Sequence, residues 1–191
     1  MDGSSSHKDL RLPGPCIIAL SSQIGAGKST LGHELSRAFG IPRISFGKYV
    51  RSVARKRGLP ESRTVLQEIG QSLVEGDTFG FTRSVLSSLW KNGAVVDGIR
   101  HVQVLQAIRE IVAPIPILLV YVDVDEPIRR QRLAQRGMRP EEIEAADNHS
   151  TEQQVRQALR KAAALHVSGE ADPAIGVRLI AEAVQRLQIE G

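Results

Sequence analysis

Short apolar runs alternate with helical periodicity along the chain. The runs at residues 16–20, 94–96 and 117–122 are continuous stretches of Ile, Val, Leu and Ala, with Cys16 and Tyr121 as the other members. Continuous runs, unlike alternating ones, belong to strands buried on both faces. A shorter strand is expected at 43–45 and a last one at 165–167. The pattern predicts helices at 28–39, closed by Gly40, and at 49–56, closed by Gly58. Val65, Leu66, Ile69 and Leu73 form a further helical stripe, a turn falls at Gly76-Asp77, and another helix is expected over 79–90. Beyond these, helices are predicted at 102–112, from Asp125 to Gly137, at 151–164 behind a Ser150/Gln153 capping box, and at 174–187. The stretch 139–148 reads as a polar link. Five strands with intervening helices make a three-layer, doubly wound α/β fold with a parallel five-stranded sheet. Such folds bind ligands at the carboxyl ends of their strands. The segments 22–30 and 45–47, Asp97-Gly98 and Asp123 all fall at such ends and are expected on one rim.

The first strand runs into Ser22-Gln23-Ile24-Gly25-Ala26-Gly27-Lys28-Ser29-Thr30 and then a helix. Strand, glycine-bearing turn, Gly-Lys-Ser and helix N-terminus are the parts of a phosphate-binding loop. Successive backbone N–H groups form an anion cradle, and the helix N-terminus adds unpaired donors and partial positive charge. Gln23 to Thr30 are therefore the predicted ATP-binding residues. Lys28 brings a full charge to the β- and γ-phosphates, and the Ser29 hydroxyl is the expected Mg²⁺ ligand. The complete motif has Gly five residues before Gly27, where this chain has Ser22. The match thus rests on the Gly-Lys-Ser half and its strand–helix setting, which together define a P-loop-containing nucleoside triphosphate hydrolase fold.

Beyond the loop, Ile44-Ser45-Phe46-Gly47-Lys48-Tyr49-Val50-Arg51, Asp97-Gly98-Ile99-Arg100 and Arg132-Leu-Ala-Gln-Arg136 follow in order. In this order they resemble the nucleoside monophosphate kinase group of P-loop kinases, the adenylate and cytidylate kinases and their relatives, over residues 16–140. The resemblance implies an ATP-dependent phosphotransferase whose acceptor is a nucleoside or deoxynucleoside monophosphate. It gives Ser45 and Arg51 to the acceptor, with Arg51 on its phosphate. It gives Asp97 to Mg²⁺ or the acceptor phosphate, Arg100 to a phosphate clamp, and Gln103 to the acceptor base. Arg132 would pack over the donor adenine and Arg136 would reach the phosphates, which makes Lys28, Asp97 and Arg136 the implied catalytic set. Residues 46–90 would be the acceptor-binding helices and 132–150 the lid. Phe46 stands where the family has Thr, Lys48 where it has Asp, and the Asp-Gly-x-Pro-Arg segment is one residue shorter here. These departures leave other acceptors open, dephospho-coenzyme A or a shikimate-like alcohol among them.

Composition narrows the rest. With 191 residues, 41% of them hydrophobic, the chain can build one well-cored domain, expected over 13–191 behind a disordered tail at 1–12. The tail has no apolar signal-peptide core, and no apolar run reaches the roughly 18 residues of a membrane span. Cys16 is the one cysteine, which excludes an intrachain disulfide, and the five histidines lack metal-ligand spacing. A cytoplasmic monomer or homodimer acting on a small molecule is expected. The net charge of +4 also fits an NTP-binding regulator or a nucleic-acid-associated ATPase. Without a recognised nucleic-acid motif or an aromatic-rich basic face, no nucleic-acid partner is expected.

Overall fold

The computed structural model describes residues 11–87 and 89–189. Residues 1–10 of the expected tail lie outside the described residues. Leu12 packs against the core.

Five strands, β1 (Ile17–Ser22), β2 (Arg43–Ser45), β3 (Ala94–Asp97), β4 (Ile117–Asp123) and β5 (Leu165–Ser168), form one sheet in the order β2-β3-β1-β4-β5. Every pairing is parallel. β1 is central, and all six of its residues are buried because helices cover both faces. Strand alternation divides the core. Ile17 and Ala19 face a cluster with α2 (Phe46–Lys56), α3 (Arg63–Leu86) and α4 (Val102–Val112). Ile18 and Leu20 face α1 (Lys28–Phe39) and α9 (Pro173–Ile189). Cys16 is a buried core residue, and burial pushes its thiol up to about 11.

The bounds expected for α1, β2 and α4 match those observed; the departures have local causes. The second helix begins at Phe46, not at 49, because the Ser45 hydroxyl accepts the Lys48 N–H and caps it. α3 is broken at Asp77, whose carboxylate accepts the Gly80 N–H at 2.8 Å, and it ends at Leu86 instead of 90. The polar stretch before residue 149 is no irregular link. It forms α6 (Pro140–Asn148), with Pro140 in its first turn and the Glu142 carboxylate accepting the Arg139 N–H. The next helix is capped by His149 rather than Ser150, with His149 Nδ1 accepting the Thr151 N–H. It runs as α7 (Ser150–Gln154), a π-helical turn at Val155–Leu159 and α8 (Arg160–Ala162). No described helix is long and apolar enough to cross a membrane.

Candidate active site

β1 delivers the chain to the sheet's carboxyl edge, where residues 23–27 turn before α1 begins. Gly25 and Gly27 have φ of 88° and 90°, a region that glycine enters without steric cost. Space matters as well. A Cβ on Gly25 would meet Leu133 at 3.0 Å, and one on Gly27 would meet the Gly169 carbonyl at 3.1 Å. Gly27 caps α1 with no side chain. The N–H groups of Gly25, Gly27, Lys28 and Ser29 have no acceptor among the described residues. This is an open anion cradle.

The loop forms one wall of a cavity of about 380 Å³ that also contains Ser45, Arg51, Arg63, Asp97 and Arg100. Asp97 ends β3, is buried, and has both oxygens engaged by cations, Oδ1 by Lys28 and Oδ2 by Arg43. Burial alone would raise its pKa; the two charges outweigh burial and hold the carboxyl below its ordinary value. Burial lowers the Lys28 ammonium, with Asp97 working against that shift.

Opposite lies a second ionic cluster. Glu152 is completely buried; its Oε1 accepts from Arg63 at 2.7 Å and from Arg100, and its Oε2 accepts the loop N–H of Ile24 at 3.4 Å. Burial first, then the neighbouring Arg63 charge, pushes the Arg100 guanidinium down to about 9. Burial and Arg51 push Arg63 down to about 10. Like cations crowded away from water favour an incoming anion.

A second cavity of about 360 Å³ lies beside the loop and is lined by Gly27, Thr30, Arg132, Gly169 and Pro173. Arg132 projects from α5 (Glu126–Gln135) and donates to the Gly169 carbonyl at 2.9 Å. Arg136 lines both cavities. The i, i+4 spacing thus puts one guanidinium in the second cavity and the other at the junction of the two. The remaining arginines of this basic stretch differ in role. Arg129 is wholly buried and joins Glu126, Asp147 at 2.5 Å and the loop carbonyl of Ile24. Arg130 pairs with Glu126, and Arg139 with Glu142.

The loop residues, Ser45, Arg51, Asp97, Arg100 and Arg136 therefore share one cavity. Gln103 does not join them. It is exposed on α4, and His101 and Val104 line the cavity instead. Asp123 does end β4 at the carboxyl edge, next to β1, but it lines neither cavity, and its carboxylate is held by Arg160 and His166. Sequence reasoning assigned no chemistry to Glu152, nor to Arg43. The capping pattern around Glu152 has an ordinary explanation that hides its burial. Among the described residues, no group of three or more His, Cys, Asp or Glu is placed to hold a metal ion. Ser29 and Asp97 line the cavity together with the loop, and a hydroxyl and a carboxylate there would fit Mg²⁺ carried in on a nucleotide once Asp97 exchanged a cation partner for it.

A parallel five-stranded sheet with a Gly-Lys-Ser loop at its carboxyl edge defines a P-loop protein of the nucleotide kinase-like group. Residues 18–156 match the AAA domain family, and the chain belongs to it. A UPF0200 protein of Thermococcus sibiricus is 26% identical over 129 residues, covering 63% of this chain and 66% of the relative. The chain thus spans just under two thirds of that relative's length. A cytidylate kinase of Pyrobaculum aerophilum is 40% identical over 43 residues, 22% of this chain and 23% of that one. The fold is shared with a gluconokinase of Sinorhizobium meliloti, at a TM-score of 0.58 and 19% identity over 93% of this chain and 94% of that one. It is also shared with a shikimate kinase of Aquifex aeolicus, at 0.58 and 19% over 91% and 99%.

Proposed function

We propose that the protein is an ATP-dependent phosphotransferase. It moves the γ-phosphoryl group to a small acceptor that already carries a phosphate, in the first instance a nucleoside or deoxynucleoside monophosphate. The observation that carries this reading is the meeting of Arg51, Arg63 and Arg100 with Lys28 around one cavity. The three arginines are offset by the buried Glu152 and by Glu61, which pairs with Arg51, so the cluster keeps a net positive charge that complements the dianion of a phosphate monoester. A neutral alcohol has no use for that charge.

Each side chain has a task. The 23–30 backbone and Lys28 hold the donor's β- and γ-phosphates. The second cavity, with Arg132 above Gly27, takes the donor's nucleoside. Arg51, Arg63 and Arg100 hold the acceptor phosphate so that one oxygen faces the donor. That oxygen bonds to the γ-phosphorus as the bond to ADP breaks, giving ADP and a diphosphate ester. Arg136, at the junction of the cavities, faces the charge that develops there. Ser29 and Asp97 would hold Mg²⁺, with Asp97 Oδ1 made available when Lys28 turns to phosphate. When bound, the ion neutralises charge on the donor's phosphate oxygens. Residues 132–150 act as a lid and exclude water. ATP-dependent chemistry on small phosphate esters and a lone buried thiol fit a cytoplasmic monomer or homodimer.

Dephospho-coenzyme A also carries phosphate, and it is the second acceptor this cavity suits. ADP release, followed by a coupled assay, separates the readings. The panel comprises nucleoside and deoxynucleoside monophosphates, dephospho-coenzyme A, shikimate and gluconate. Release that depends on a phosphate-bearing acceptor is expected. ADP formed without any acceptor and stimulated by RNA or DNA would identify an ATPase instead.

A further inference from the structure

The end of the main cavity away from the loop is built differently from the arginine cluster. Phe46, Val50, Leu66, Phe81 and Val104 make an apolar wall, in which Phe46 and Phe81 meet edge-to-face at 5.4 Å between ring centres. Gln67 is the exception in this wall. It is 94% buried, lines the cavity, and its Nε2 has no hydrogen-bond partner among the described residues. The Thr151 hydroxyl, which also lines the cavity, is likewise buried and unpartnered. Buried amide and hydroxyl groups without partners are costly, so in a cavity wall a small turn of either side chain towards a matching ligand edge, or towards water, is favoured. One turn along α3 from Gln67, Gly70 also lines the cavity, and a Cβ there would meet nothing within 4 Å.

We infer that this end of the cavity takes a flat, nitrogen-containing aromatic ring, and that Gln67 reads the polar edge of that ring. The inference rests on the phosphate-acceptor reading above. A heteroaromatic ring has apolar faces and a polar rim; the faces suit the Phe46–Phe81 wall, and the rim suits one amide. A carboxamide offers a donor and an acceptor side by side, the geometry that pairs bidentately with a base edge. A polyol fits poorly, because most of its hydroxyls would be buried against Phe and Val without partners. Gly70 keeps the floor of the ring site open. The ring-reading group thus lies on α3, and not at Gln103 on α4, which faces away from the cavity.

Isothermal titration of the full chain with CMP, UMP, dTMP, AMP and GMP tests this, with ribose 5-phosphate as the control that lacks the ring. At least one nucleotide is expected to bind about tenfold or more tightly than ribose 5-phosphate, a ratio equivalent to about 1.4 kcal/mol. Gln67→Leu and Gly70→Leu should each bring that ratio to within about threefold of unity and leave ribose 5-phosphate binding nearly unchanged. The ratio is taken within one variant, so a partly unfolded sample does not distort it, and Gly70→Leu adds a strong helix former. Ribose 5-phosphate that binds as tightly as every nucleotide would overturn the ring site and leave the phosphate reading intact. A ratio unmoved in both variants would overturn the assignment to Gln67 and Gly70. Failure of every phosphate ester to bind would overturn the phosphate-acceptor reading and this inference with it.

Discussion

Arg100 and Glu152 stand 52 residues apart in the chain and form an ion pair in which the carboxylate is wholly buried. The same carboxylate holds Arg63 and touches the phosphate loop at Ile24. One side chain therefore fixes the spacing between the candidate acceptor arginines and the candidate donor loop.

Removing that carboxylate leaves two crowded guanidiniums without a counter-charge. Glu152→Ala should lose about 3–5 kcal/mol of stability, the usual cost of breaking a buried pair from one side. Urea unfolding measures it. The acceptor KM should also rise more than that of ATP, since the arginines lose their alignment. A loss below about 1 kcal/mol would mean that the cluster is solvated and that Glu152 holds nothing in place.

Lys28→Ala separates chemistry from folding. The ammonium is expected to serve the donor phosphates, so turnover should fall by about 10³-fold or more, in line with the loss of a preorganised charge. The sheet does not depend on Lys28, and the circular dichroism spectrum should be preserved. Asp97 keeps Arg43 as a partner. Near-normal turnover in this variant would remove the loop from the mechanism.

His101 links pH to stability. Burial, with the adjacent Arg100 charge, pushes its pKa from 6.5 down to about 4. Between those values the unfolded chain binds a proton that the folded chain does not. Stability should therefore fall as pH drops from about 6.5 towards 4 and should show no contribution from this group above that window. The whole effect is at most about 3 kcal/mol, reduced by whatever solvent still reaches the ring. Unfolding midpoints of the wild type and His101→Asn, compared at pH 7 and pH 5, isolate it. Parallel pH curves for the two proteins would show that the imidazole is not held neutral.

Gly169, after β5, backs the phosphate loop. Its N–H donates to the Asp123 carbonyl at 2.7 Å, and its own carbonyl accepts from Arg132. A Cβ there would overlap the Ala26 carbonyl oxygen and approach Val122 at 3.0 Å. Gly169→Ala should push the loop outward, weaken ATP binding about tenfold and cost roughly 1–3 kcal/mol of stability. Titration with ATP and magnesium checks the first effect; unchanged affinity would show that the loop position is not set by this contact.

The chain's own pattern determined the frame. Continuous apolar runs marked the buried strands, and Gly-Lys-Ser between a strand and a helix marked the phosphate loop. These signals are local, with periodicity, capping and turn chemistry each acting within a few residues. The separate roles of the basic residues were not legible there. Arg129 and Arg136 look alike in a run of arginines, yet one is a buried tie to Asp147 and the other lines both cavities. Gln67 and Gln103 both sit on helices, and only the packing of α3 against α2 and α4 turned the first inward. Glu152 reads as an ordinary residue in the first turn of a helix, and α6 as a polar link. Tertiary structure decided these cases because burial and ion pairing depend on which distant segments meet. Arg63 and Arg100 reach Glu152 across 89 and 52 residues, separations at which no local pattern carries information.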